Sequence, residues 1–199
     1  MSTTRGRPRA FDVDEALDRA VEVFWRLGYE GASLTALTEA MGINRPSLYA
    51  AFGDKEALFQ RAVSRYAEVD MAYAREALDQ PTAYEVVASF LHANVDALTQ
   101  PDRPSGCLSV QGALATGSDG GRVAAFLASS RLAGERGLAE RLARAVADGD
   151  LPAETDPEAM ARFVMALSEG HAVHAAAGVD RASLHASVDV ALRAIPQHA

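Results

Sequence analysis

At 199 residues, 49% of them hydrophobic and only 7% aromatic, the chain is long enough to bury on the order of 70% of the surface its unfolded form exposes. No apolar run reaches the roughly 18 to 20 residues of a transmembrane helix, the N-terminus is polar and arginine-rich with no hydrophobic segment after it, and the single cysteine, Cys107, excludes an intramolecular disulfide framework. A cytoplasmic protein is therefore expected, with alanine-rich runs that favour packed helices over sheets, while a net charge of -8 argues against a polyanionic partner if it is spread evenly.

It is not spread evenly. Residues 1 to 65 hold nine basic and nine acidic side chains, so the remaining 10 basic and 18 acidic residues carry the whole -8. The chain opens with Arg5-Gly6-Arg7-Pro8-Arg9, an arm that glycine and proline keep extended. Such an arm suits a narrow A·T minor groove, where the negative potential is strongest; a solvated basic terminus is the plainer alternative. A first helix is expected from Asp12 to near Gly28: Asp12 and Glu15 have capping-box spacing, and Val13, Leu17, Val21 and Phe24 make one apolar stripe.

Ser33 to Lys55 carries the most information. Ser33 N-caps a helix whose apolar face is Leu34, Leu37 and Met41; Gly42 supplies a left-handed turn that a side chain would resist; Asn44 caps a second short helix with Arg45 and Pro46 in its first turn, where proline lacks an N-H that would be unpaired anyway. Leu48 and Phe52 anchor that helix inward, which leaves Asn44, Arg45, Ser47 and Tyr49 free to face a major groove. An ordinary helical hairpin has the same caps and spacing, and the neighbouring basic arm is what favours DNA.

Asp54 then caps a long helix expected to run to about Leu78, followed by a helix from Thr82 to Leu98 and a loop at residues 100–106, where Pro101, Pro104 and Gly106 cannot extend a helix. Further helices are expected over Cys107–Ala115, Arg122–Ala147, Asp156–Ala177 and Asp180–Ile195, separated by glycine and proline breaks. The result is an all-α chain of about nine helices, with no strand and no internal repeat. No linker divides it, so the long helix from Asp54 is shared between an N-terminal head and a C-terminal body.

Phe24, Gly28, Tyr29, Ser33-Leu34-Thr35, Met41-Gly42-Ile43, Ser47-Leu48-Tyr49, Phe52 and Lys55 together resemble the N-terminal domain of TetR/AcrR transcriptional regulators, specifically across about residues 9–65. Thr38 stands where such motifs usually have alanine; it is close in size and its hydroxyl can bond back to its own helix. The resemblance implies an arm at 1–9, a helix-turn-helix DNA-binding domain at 10–55 and an effector-binding and dimerisation domain at 56–199. It implies a homodimeric regulator, a repressor by family default, that binds a palindromic double-stranded DNA operator and is released by a small-molecule effector, with no membrane partner, cofactor or metal. Carried onto this sequence, Arg5, Arg7 and Arg9 would enter the minor groove. Ser33 and Thr35 would meet a phosphate at a helix N-terminus, and Asn44, Arg45, Pro46 and Ser47 would approach base edges. Tyr49 and Lys55, the only lysine in the chain, would bind phosphates.

Two regions stay open. Met160, Phe163, Val164, Leu167, Leu184, Val188, Leu192 and Ile195 fit a four-helix dimer interface equally with core packing inside one chain, and the resemblance favours the dimer. Phe90, His92, Cys107, Gln111, Phe126, Met165 and Glu169 are candidate effector-pocket residues. Cys107 after a Pro-Ser-Gly loop at a helix start also fits an electrophile or redox sensor, with a small buried apolar role as its alternative. An enzyme built on Cys107 with His92, or on Glu169, His171 and His174, lacks a phosphate loop, a serine nucleophile elbow and enough ligands for a metal; a helical scaffold would leave the arm and the Asn44–Tyr49 helix unused.

Overall fold

Asp12 caps the first helix through its carboxylate, which accepts from the N-H groups of Asp14 and Glu15, and the helix kinks before its last turn where Gly28 takes φ 67, a backbone conformation open chiefly to glycine. In the computed structural model, which describes residues 11–115 and 121–196, the helices are α1 (Val13–Gly31), α2 (Leu34–Met41), α3 (Arg45–Phe52), α4 (Lys55–Val69), α5 (Ala72–Leu78), α6 (Ala83–Leu98), α7 (Leu108–Ala115), α8 (Gly121–Ala147), α9 (Pro157–Ala176) and α10 (Arg181–Leu192). No strand occurs among the described residues. The arm residues Arg5, Arg7 and Arg9 lie outside them.

One expected helix is two. The stretch from Asp54 to Leu78 breaks at Asp70 and Met71, whose N-H groups both donate to Tyr66 O (2.9 and 3.1 Å). Arg75 of α5 folds back and donates to the C-terminal carbonyls of α4, Ala67 O and Glu68 O (2.9 and 2.7 Å), so the groups orphaned by the break are satisfied. Arg103, from the proline loop, holds the Asp70 carboxylate at 2.7 Å. Burial nevertheless raises the Asp70 pKa, outweighing the Arg103 guanidinium that lowers it.

The head and the body share α4. Phe59 is fully buried, with its ring edge-on to Phe24 (centroids 5.0 Å) and Tyr29 (5.2 Å), and Tyr66, about two turns on, packs edge-on against Trp25 at 4.8 Å. α7 comes close enough that a Cβ on Gly112 would stand 3.2 Å from Leu127 and 3.5 Å from Phe59. Farther along, α8 packs on α9, and α6 packs on α9 and α10. Arg141 of α8 donates to the carbonyls of Leu78, Gln80 and Pro81 (3.1, 2.7 and 3.1 Å) and so fastens the α5–α6 connection. Between α6 and α10, His92 Nδ1 lies 2.8 Å from His185 Nδ1, and His185 Nε2 is 3.0 Å from Asp96.

His171 of α9 is 3% exposed, with Nε2 at 2.6 Å from Ser187 Oγ. Burial first, then the neighbouring His174 and His185, pushes its pKa below the ordinary histidine value. Unfolded histidine takes up a proton near about pH 6.5, whereas folded His171 resists it until lower pH, so its contribution to stability is present above that point and is lost as pH falls. The thermal midpoint is expected to drop between about pH 7.5 and pH 5.5, and His171→Gln to flatten that drop; an identical slope in the variant would remove His171 as a cause.

Candidate DNA-reading surface and ligand cavity

The helix-turn-helix is built from caps. Ser33 Oγ accepts from Ala36 N (3.1 Å) at the start of α2, Gly42 closes that helix at φ 67 and ψ 28, and Asn44 Oδ1 accepts from Ser47 N (2.9 Å) at the start of α3, with Pro46 in its first turn. Leu37, Met41, Leu48 and Phe52 are buried, which fixes the rotation of both helices. Thr38 Oγ1 donates to Leu34 O (2.9 Å), so the threonine is accommodated within its own helix.

That rotation leaves one surface exposed. Ser33, Thr35, Asn44, Arg45, Pro46 and Tyr49 are exposed and Ser47 is half-buried. Two of them are joined: Arg45 Nη2 donates to Thr35 Oγ1 at 3.0 Å, across the turn from α3 to α2. Lys55 is half-buried at the start of α4, with Nζ 4.5 Å from the centroid of the Tyr29 ring. Burial lowers its pKa, with Glu30 acting in the opposite direction. The contact between Tyr29 and Lys55 joins the end of α1 to the residue that follows the helix-turn-helix.

Behind the head, α4 to α9 enclose a cavity of about 340 Å³. Val63, Ser64 and Ala67 of α4 form one wall, Met71 at the break and Ala74 and Arg75 of α5 another, Asn94 of α6 a third. Cys107, Ser109 and Val110 close it beside α7. Phe126, Ser130, Arg131 and Gly134 of α8 and Met165, Ser168, Glu169 and Ala172 of α9 complete it.

Of the pocket residues expected from sequence, Cys107, Phe126, Met165 and Glu169 line this cavity. Phe90, His92 and Gln111 do not: Phe90 packs in the core beside Tyr73 (centroids 6.1 Å), His92 faces His185 on α10, and Gln111 donates to Ser105 O at 3.0 Å. Asn94 and Arg131 were missed. Asn94 had a readable signal, a polar residue within the apolar stripe Phe90, Leu91, Val95 and Leu98. Cys107 is 7% exposed, and it neighbours Tyr66, whose phenol pKa is raised by burial first and then by Cys107. That environment suits the buried apolar role rather than the sensor. The enzyme constellations do not assemble: His171 is paired with Ser187, His174 is exposed, and Glu169 lies 3.6 Å from Arg131.

The dimer expectation needs correcting residue by residue. Val164, Leu184, Val188, Leu192 and Ile195 are buried within the chain itself and leave no surface for a partner. The period of an amphipathic helix marks the face turned to its own core, and these side chains fill it. Phe163 is 45% exposed, with Met160 and Leu167 partly so. The outer faces carry Phe163, Ala166, Val173 and Ala177 on or beside α9, and Ala186 and Val190 on α10, all exposed.

The family model of bacterial regulatory proteins, tetR family, matches residues 16–62, and the model of the tetracyclin repressor-like C-terminal domain matches residues 83–191. The chain is also 33% identical over 196 residues to the HTH-type transcriptional repressor ComR of Escherichia coli (strain K12), covering 98% of this chain and 93% of that repressor. The chain belongs to the TetR family. This TetR-family protein is a helix-turn-helix, DNA-binding transcriptional repressor and not an enzyme. It is 35% identical over 191 residues to the uncharacterized HTH-type transcriptional regulator YezE of Bacillus subtilis (strain 168), covering 94% and 97% of the two chains. Among solved structures, a cysteine-substituted form of the TetR family transcriptional regulator CifR, complexed with 26-bp double-strand operator DNA, matches at a TM-score of 0.91 and 48% identity, covering 96% of this chain and 100% of that one.

Proposed function

We propose that this TetR-family repressor acts in the cytoplasm as a homodimer on a near-palindromic operator and leaves it when a small molecule fills the cavity behind α4. The observation that carries the reading is the path of one helix. α4 starts at Lys55, three residues after α3 ends, and continues into the cavity wall through Val63, Ser64 and Ala67. A ligand that fits better with α4 displaced therefore moves the reading helix, and by linkage DNA weakens that ligand by the same factor.

In this reading Arg45, Asn44, Pro46 and Ser47 approach base edges, while Ser33, Thr35, Tyr49 and Lys55 contact phosphates and Arg5, Arg7 and Arg9 enter the minor groove. The likeness to a regulator solved on operator DNA supports that assignment. Two recognition helices must sit about 34 to 36 Å apart, or a multiple of that, to enter major grooves on one face of the duplex. The second copy docks on the outer face of α9 and α10, where small residues let helices approach and Phe163, Val173 and Val190 supply exposed apolar area.

Charge on that face tests the dimer. Phe163→Glu with Val190→Glu is expected to give a folded monomer in sedimentation, because both side chains are exposed, and to bind a full operator no better than a half-site. A dimer that survives both substitutions would move the interface elsewhere.

A further inference from the structure

Among the described residues, four buried side-chain polar atoms have no hydrogen-bond partner: Trp25 Nε1, Asn94 Oδ1, Arg131 Nη1 and His171 Nδ1. Asn94 and Arg131 both line the cavity. Asn94 is 4% exposed, and its amide nitrogen donates to the Tyr73 hydroxyl at 2.9 Å, leaving only Oδ1 unpartnered. Such a group inside a protein bears its desolvation cost without return until a donor reaches it. Arg131 presents an N-H in the same state, a donor waiting for an acceptor.

The other charged groups of the lining restrict what can supply those partners. Arg75 is committed to the C-terminal carbonyls of α4, and Arg131 already has Glu169 Oε1 at 3.6 Å from its Nε. Arg75 and Arg131 leave the lining net positive against the one carboxylate of Glu169, but an anionic group reaching Arg131 Nη1 would set its charge beside the carboxylate that Arg131 already faces, whereas a neutral oxygen accepts there without disturbing that pair. Val63, Met71, Val110, Phe126 and Met165 supply apolar walls, and about 340 Å³ falls at the lower end of the range for small-molecule sites.

We propose that the cavity takes an uncharged, mainly apolar small molecule with two polar points, a hydroxyl or N-H that donates to Asn94 Oδ1 and a carbonyl or ether oxygen that accepts from Arg131 Nη1. This rests on reading the cavity as the effector site, but its chemistry is measurable without DNA. Ligand binding and operator release are therefore scored separately: selective binding without release leaves the ligand assignment standing and removes the effector role.

The test is calorimetry of the full chain with three matched straight-chain probes of about ten carbons: a hydroxy-ketone, the ketone lacking the hydroxyl, and the keto-acid carrying a carboxylate in its place. The hydroxy-ketone should bind about tenfold or more tighter than the ketone, because only it satisfies Oδ1, and the keto-acid should bind more weakly than the hydroxy-ketone. In Asn94→Leu combined with Tyr73→Phe, which leaves neither partner of that bond orphaned, ketone binding should persist while the preference falls to about one. Arg131→Met should weaken ketone and hydroxy-ketone alike. Circular dichroism and a cooperative melt establish that each variant is folded. Should the Asn94 variant fail to fold, the probe series on the native chain and Arg131→Met still decides. No binding of the hydroxy-ketone, no preference over the ketone, a tightest-binding keto-acid, or a preference that survives in the Asn94 variant would each overturn the proposal.

Discussion

Replacing Phe59 by alanine is expected to cost about 3 to 5 kcal/mol of folding stability, the range for truncating a buried aromatic. The side chain is fully buried and stands edge-on to both Phe24 and Tyr29, so transfer, cavity and aromatic-pair contributions are all lost. Collapse cannot close the space cheaply, because the backbone of α7 at Gly112 already lies against the ring. In a chain of this length the thermal midpoint should fall by about 10 °C. Since the ring joins the head to the body through α4, the damage should reach both, with loss of DNA binding at temperatures where far-ultraviolet dichroism still reports helix. A midpoint within about 2 °C of the native value would show that head and body do not rely on this junction.

The second large effect concerns sequence reading. Arg45→Ala is expected to cost about 1 to 3 kcal/mol on the preferred operator and to relax discrimination at one base position, the behaviour of a guanidinium reading a base edge. Lys55→Ala should instead weaken all sequences alike and reduce the salt dependence, as for a phosphate contact. The bond from Arg45 to Thr35 adds a finer expectation. Thr35→Val keeps the shape but removes the hydroxyl, and should carry part of the Arg45 loss, whereas Thr35→Ser should restore it. Binding isotherms on the operator and on its single-base variants separate these cases. Equal loss across every sequence for both Arg45→Ala and Lys55→Ala would contradict the division of roles.

The parts of the fold that were legible in the sequence are those written in local chemistry. Asp12, Ser33, Asn44, Asp54, Asp156 and Asp180 each cap a helix through the side chain, and Gly42 marks the turn, because capping and left-handed backbone depend on residues within a few positions of one another. The break between α4 and α5 had no such mark. No glycine or proline stands there, and the break is held by Arg103 and Arg75, the first of which arrives from far along the chain.

The same distinction explains the α9 and α10 residues. Hydrophobic periodicity identified a buried face correctly but not whether the burying surface belongs to the same chain. Val164 and Val188 are fully buried without a partner, while the outer face is marked by alanines whose small size gives little periodic signal. In the cavity, Cys107, Phe126, Met165 and Glu169 were nameable as types found in ligand sites. Arg131 was not, because its unpaired N-H exists only once α8 and α9 are packed together.

The most direct measurement is selection of bound fragments from a random duplex library by the intact chain at low salt, repeated with Arg45→Ala. The account predicts one palindromic motif with half-site centres about 34 to 36 Å apart or a multiple of that, degraded at defined bases by the substitution. Failure to enrich any motif, or a motif unchanged by Arg45→Ala, would contradict the assignment of α3 as the helix that reads the operator.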